Sequence, residues 1–306
     1  MIPGLPAAWI TGAARADAAA EGAVKAAAMP EVITPDQVPF FAWFYSVLVI
    51  AGIVTLFLIW RPLQARTALW ERRTRYIVRR PFTWGDLVLI LFTLFALYPA
   101  GALLLDLAWA DLDPMSQQVL VQSITFHWAI LVMLVILLRI KGIRWERAFG
   151  LYRGRIRKDV AMGATGYLAM MPVVLLYGII SWVILHTLGF KQDVQEIARV
   201  LSAGGSPAMR IYKFLVAAAI APVAEELLFR GIAFPLISRR FGSLTGIIVV
   251  SAVFAGIHVH LPAMLPLFIM STFLCMAYVH TGSLRVPIVM HMLFNTLNLT
   301  MHILMN

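Results

Sequence analysis

Long apolar runs alternate with short polar ones along most of this chain. The runs fall near 40–60, 87–105, 118–138, 161–187, 214–237, 244–260, 263–279 and 286–304. Each approaches the roughly 20 residues that a helix needs to cross a hydrocarbon core of about 30 Å. The sixth and seventh meet at the tight corner Leu261-Pro262. The pattern predicts an all-α integral membrane protein of about eight transmembrane helices. It also divides the chain in three: a tail over 1–38, transmembrane helices with basic loops over 39–190, and a last group of helices over 208–306. The tail is Ala-rich with mixed charges and no apolar segment behind a basic start, so it reads as an extracytoplasmic tail and not a signal peptide. The change of character lies at 190–212, where Gly204-Gly205-Ser206-Pro207 closes a polar stretch.

Composition excludes a soluble globular domain: hydrophobic residues make up 61% of the 306 and charged residues only 13%. The net charge of +10 would suit nucleic acid, but its distribution does not. Fifteen of the 25 basic residues fall within 61–80 and 139–158, directly after the first and third runs. Juxtamembrane clusters of this kind mark the cytoplasmic side and attract anionic lipid headgroups. The loop with Asp106, Asp111 and Asp113 then falls outside, and Arg239, Arg240 and Arg285 fall inside, so both termini are expected outside. No nucleic-acid partner is expected. The single cysteine, Cys275, allows neither an internal disulfide nor a cysteine metal cluster.

Against this apolar background two adjacent carboxylates, Glu225 and Glu226, stand inside the fifth run, and no acidic residue follows them. A carboxylate at bilayer depth costs several kcal/mol even on mild scales (~2.5–3.5), so such residues pair, face a wet cavity and carry function. Three polar stations share the last four runs. Glu226 and Arg230 are spaced i, i+4 and stack on one helix face, with Glu225 turned about 100° away. Phe254 and His258 form the second station, and His291 and Asn295, again i, i+4, form the third. Glu226 and His258 are equidistant in sequence from Gly242, so an antiparallel hairpin brings them to one level. His291 lies closer to its own turn, near Gly282-Ser283: roughly 12 Å in, against roughly 24 Å for the glutamates, at 1.5 Å per residue. Ideal helices would therefore bring the third station level only if the Arg239-Arg240 hairpin protruded by about two turns or tilted strongly.

Glu225-Glu226-x-x-x-Arg230, Phe254-x-x-x-His258 and His291-x-x-x-Asn295, in that order, resemble the motifs of the CPBP family of intramembrane proteases, which includes the CAAX prenyl endopeptidases. The resemblance covers roughly 208–300, and the first four runs contribute to it only a membrane context. It implies an intramembrane endopeptidase of the glutamic type in which Glu225 and His258 activate a water. His291 and Asn295 would then donate to the oxyanion, and Glu226 with Arg230 would hold the geometry. Chemically this is coherent, because peptide hydrolysis needs a polarised water, a proton carrier and oxyanion donors.

Each station alone has a plainer reading: a structural ion pair, a hydrogen-bonded core histidine, an interhelical amide bond. The remaining histidines, His127, His186, His260, His280 and His302, are left outside the site. Zinc held by Glu225, His258 and His291 is the minor alternative, weakened by the lack of an H-E-x-x-H helix. No cofactor is expected. A scaffold or transporter with a buried polar path is the rival function, against which no inverted repeat is found. The substrate expected is a peptide or protein entering from the membrane, and the compartment expected is a bacterial plasma (inner) membrane.

Overall fold

In the computed structural model the chain is helical throughout the described residues, 38–64, 67–108, 112–190 and 206–305, with no strand among them. The tail expected over 1–38 and the break at Gly204-Gly205 lie outside the described residues apart from Val38. A helix occupies each of the eight apolar runs. These are α1 (Val38–Gln64), α3 (Trp84–Ala108), α4 (Pro114–Ile140), α6 (Ile156–Thr187), α7 (207–241), α8 (Ser243–Gly256), α9 (Leu261–Thr281) and α10 (Arg285–Met305). Two short helices, α2 (Thr67–Ile77) and α5 (Trp145–Phe149), lie in the basic loops. α3, α4, α6 and α9 contain stretches both long and apolar enough to cross a bilayer. Large apolar side chains such as Phe57, Phe92, Phe95 and Ile140 point away from the bundle and are more than 60% exposed, which suits a surface solvated by lipid. The protein is an integral membrane protein.

Small residues let these helices approach. Without water to expel, helices in a bilayer associate through close backbone packing and polar contacts. α6 is the central post and packs against α1, α9 and α10. At Gly52 of α1 a side chain would strike the Leu168 carbonyl and Pro172 of α6, and at Gly163 of α6 it would strike Val289 of α10. α3 and α4 pack together, and α4 then lies against α7. Leu134, Ile130, Met170, Phe254, Leu274 and Tyr278 fill the core between these layers.

The basic end of the bundle is fastened by arginines that reach helix ends, where carbonyls lack an intrahelical partner. Arg80 donates to Arg147 O at 2.7 Å and to Gly282 O at 2.9 Å. Arg239 donates from Nε to Val78 O and from Nη2 to Arg80 O, both at 2.8 Å, and Arg73 reaches His280 O. Asp159, completely buried at the start of α6, accepts from Ser283 and Arg285 at 2.7 Å and faces Arg155 at 3.4 Å. Much of the positive charge that signals topology in the sequence thus also ties the loops together.

Two departures from regular helix matter for the site. π-helical turns interrupt α4 at Ser123–Trp128 and α7 at Val216–Ile220 and Leu227–Ala233. A π turn spreads its residues over a wider ring than an α turn, and such bulges recur at functional sites. A π turn takes up about one surplus residue, roughly 1.5 Å of rise, so it trims the depth estimate for α7 only slightly, yet His291 of α10 still reaches Glu226 at 3.0 Å. The sixth run is also shorter than its apolar pattern: α8 ends at Gly256 and not near 260. His258 sits on the turn beyond it, and Val259 takes a left-handed backbone with φ 47°.

Candidate active site

α7 carries the two glutamates on the α-helical segment Ala221–Glu226 between its π turns. Pro222 stands in the first turn of that segment, where its missing N–H costs least. Glu226 is buried completely and so is Arg230, whose Nη1 donates to Glu226 Oε1 at 2.7 Å. The second arm of the guanidinium donates to Ser271 Oγ at 2.6 Å and to Ser271 O at 3.2 Å on α9. Its plane lies over the Phe254 ring, 4.7 Å from the centroid. A buried ion pair holds only when further hydrogen bonds meet its remaining valences, and Ser271 supplies those for the cation. Glu226 Oε2 and Arg230 Nε remain buried without a hydrogen-bond partner in the protein.

α10 brings His291 between the carboxylates. Its Nδ1 is 3.0 Å from Glu226 Oε1 and its Nε2 is 3.8 Å from Glu225 Oε2. An ionised carboxylate only accepts, so the proton on Nδ1 faces Glu226 and Nε2 is turned to Glu225. The approximate 100° between the glutamates does not separate them, because one imidazole has two nitrogens to reach them. Glu225 is the least buried member of the pair, with 13% of its side chain exposed, and no short hydrogen bond saturates it.

His258 sits on the turn beyond α8. It lies outside ion-pair reach, while still interacting with Glu225 through its field. Its Nδ1 is 2.7 Å from Phe254 O, an acceptor only, so Nδ1 carries the proton and Nε2 is left as a bare acceptor. Phe254 organises this side of the site: its ring meets His258 at 4.9 Å and His291 at 5.7 Å between centroids. Sequence reasoning gives it a packing role, and packing here sets the spacing of two imidazoles and a guanidinium.

Asn295 is also partly engaged. Its Nδ2 donates to Ala217 O at 2.8 Å, a carbonyl inside the first π turn of α7. One of its two amide hydrogens is thereby committed to fixing α10 against α7, and the other remains for a ligand.

The site also contains a residue that the sequence reading placed outside it. His127, on the π turn of α4, approaches Glu225 Oε1 with its Nε2 at 3.7 Å. The first four helices therefore do more than supply membrane context: α4 contributes a wall of the site. The missed signal was a titratable side chain at membrane depth, which is itself a mark of function. It carried no i, i+4 partner to draw attention to it. Ser271 was equally invisible, since a buried serine in an apolar run has no distinctive spacing.

Among the described residues no group of three His, Cys, Asp or Glu side chains is arranged to hold a metal ion. In the set Glu225, His258 and His291, both histidines use Nδ1 in a hydrogen bond, to Phe254 O and to Glu226, and keep Nε2 as an acceptor.

Residues 207–297 match the family model described as type II CAAX prenyl endopeptidase, Rce1-like. The matched segment spans all three motifs, from Glu225 to Asn295, and leaves out α1 to α6. At the family level this segment is similar to that of the CAAX-type intramembrane proteases. No curated protein and no solved structure matches the chain.

Proposed function

We propose that the chain is an intramembrane endopeptidase that cleaves a peptide or protein substrate entering from the membrane. The single observation that carries this reading is the state of Glu225. It is a membrane-depth carboxylate beside an immobilised ion pair, with imidazole nitrogens 3.7 and 3.8 Å away and no short partner of its own.

In this reading Glu225 takes a proton from a water while His258 Nε2 polarises the same water from the other side. The resulting hydroxide attacks the scissile carbonyl carbon. The free N–H of Asn295 donates to the oxyanion, as does His291 after its Nε2 has taken a proton from solvent before the attack. The proton on Glu225 then passes to the leaving amide nitrogen as the C–N bond breaks. Glu226 and Arg230 take no proton; they hold His291 and Phe254 in place. General base catalysis of this kind contributes roughly 10²–10⁴-fold in rate.

The basic loops are read as cytoplasmic and in contact with anionic headgroups, with both termini on the opposite side of a bacterial plasma (inner) membrane. The test is comparative mass spectrometry of membrane and secreted peptides from cells carrying wild-type or Glu225→Ala protein at equal abundance. New C-termini present only with the wild type are expected, and their last residues show whether a prenylated segment has been removed. Identical peptide sets from the two, with the protein accumulating in both, would overturn the protease reading.

A further inference from the structure

The most informative group that the proposed reaction leaves unused is His127. It stands on α4, outside the segment 207–297 that matches the protease family model, yet its Nε2 is 3.7 Å from Glu225 Oε1. His291 addresses the other oxygen, Oε2, at 3.8 Å. The carboxylate is therefore bracketed, one imidazole to each oxygen, by helices from different halves of the chain.

Burial decides which nitrogen of His127 carries the proton. The side chain is 8% exposed, and Nδ1 is sealed with no hydrogen-bond partner in the protein. A neutral imidazole has one N–H, and placing it on a sealed nitrogen would leave a buried donor unmet. The proton belongs on Nε2, pointing at Glu225. At 3.7 Å the contact is longer than a formed hydrogen bond, and catalytic contacts of this kind commonly tighten when substrate is bound.

The turn that presents His127 is built into the bundle. Ser123, Thr125 and His127 are the buried side chains of the π segment. Ser123 Oγ is 2.7 Å from the hydroxyl of Tyr212 on α7, the helix that carries Glu225. Thr125 fills the space over Gly101 of α3, where a Cβ would lie 2.3 Å from its methyl. The π turn is thus pinned on both sides, and the ring it carries has a fixed approach to the carboxylate.

We propose that His127 is a positioning residue for Glu225. Its Nε2–H holds Oε1, so that the carboxylate keeps one rotamer and presents Oε2 to the water beside His291. The consequence for catalysis rests on the protease reading; the pairing itself does not. The other charged or titratable groups around the carboxylate are His291 on α10, His258 beyond α8, and the neighbouring Glu226 with its partner Arg230.

The test uses the full chain in lipid nanodiscs, as wild type, His127→Ala and His127→Gln, since a glutamine amide can replace the Nε2 donor. Two readouts are taken: the rate of the Glu225-dependent cleavage product, and labelling of Glu225 by a hydrophobic carbodiimide, followed by mass spectrometry across pH. Carbodiimides attack the protonated carboxyl, so loss of the N–H donor should extend labelling to higher pH. Expected for His127→Ala is a rate lower by roughly 10–100-fold, the cost of a misplaced catalytic group, together with the shifted labelling profile. His127→Gln should restore both. A labelling profile unchanged in His127→Ala, whatever the rate, overturns the proposal, as does a His127→Gln variant as impaired as the alanine. Should Glu225→Gln leave the product rate intact, the protease reading fails while the labelling profile still judges the pair.

Discussion

Two of the buried carboxylate clusters among the described residues are finished differently. At the basic end Asp159 has a serine hydroxyl and an arginine on one oxygen at 2.7 Å and a second arginine 3.4 Å from the other. At membrane depth Glu226 is similarly clasped by Arg230 and His291, but its neighbour Glu225 has only imidazoles at 3.7 and 3.8 Å. Asp159 is completely buried, and Glu225 is the carboxylate left partly open. Oδ1 of Asp159 and Oε2 of Glu226 both lack a hydrogen-bond partner, yet each of these carboxylates holds hydrogen bonds on its other oxygen, whereas Glu225 has only the longer imidazole contacts. The first cluster joins helices; the second reserves valences for something that arrives later.

Three substitutions would break or sharpen this contrast. The largest effect is expected from Arg230→Met, which strips the cation from a completely buried Glu226. Removing one partner of a buried pair costs about 3–5 kcal/mol, read as loss of unfolding free energy in mixed micelles, and Glu226→Gln added to it should recover part of that loss. A single variant as stable as the wild type would mean that the pair contributes nothing to the frame.

A smaller effect is expected from Asp159→Asn. Arg285 and Arg155 are 18% and 36% exposed, so water can take over part of their solvation. A loss of roughly 1–3 kcal/mol, the range for a broken charged hydrogen-bond set, should leave cleavage per folded molecule at the wild-type rate. A fall in that rate as deep as for Glu225→Ala would erase the distinction between the two clusters.

The smallest effect belongs to Asp113, a third and half-exposed carboxylate that caps α4 through the Ser116 amide at 2.9 Å. Partial burial works against its charge, but the bonds from Ser116 and the positive field of Lys213 outweigh that and hold its carboxyl below the ordinary aspartate value of 3.8. Because the folded value is the lower one, the contribution is complete above the ordinary value and vanishes as pH falls through the folded one. Asp113→Ala should therefore cost about 1 kcal/mol at neutral pH, and thermal unfolding of the two forms should converge in strong acid. A gap that persists there would show that the cap does not depend on charge.

Much of this was legible in the chain. The eight apolar runs each became a helix, because apolar length is what a bilayer selects. Glu226 with Arg230 followed from i, i+4 spacing, whereas His291 standing between the two glutamates did not, since the depth estimate set it at another level. What failed were inferences that assumed ideal helices. α8 stops at Gly256 although apolar residues continue, since hydropathy does not register where a backbone turns. The π turns in α4 and α7 carry no pattern of their own, so the approach of His127 was hidden with them, and the depth estimate for His291 missed its contact with Glu226. The resemblance put a water between Glu225 and His258, and the turn after α8 holds the two beyond direct ion-pair reach. For Asn295 an interhelical hydrogen bond was the plainer reading, and its partner, the Ala217 carbonyl, becomes apparent only once α7 departs from α-helical geometry.

That departure has a further meaning. A π turn amounts to one surplus residue in an otherwise regular helix, so deleting a single amino acid within 216–220 would return that stretch to ordinary winding. The widened turn absorbs that residue, so the glutamates further along α7 would keep nearly their present faces. The Ala217 carbonyl would be drawn back into regular winding and no longer be offered to Asn295 of α10. The grip of Asn295 on α7 thus hangs on one additional residue in a greasy stretch of valine, alanine and isoleucine, where no charged or reactive side chain advertises its presence.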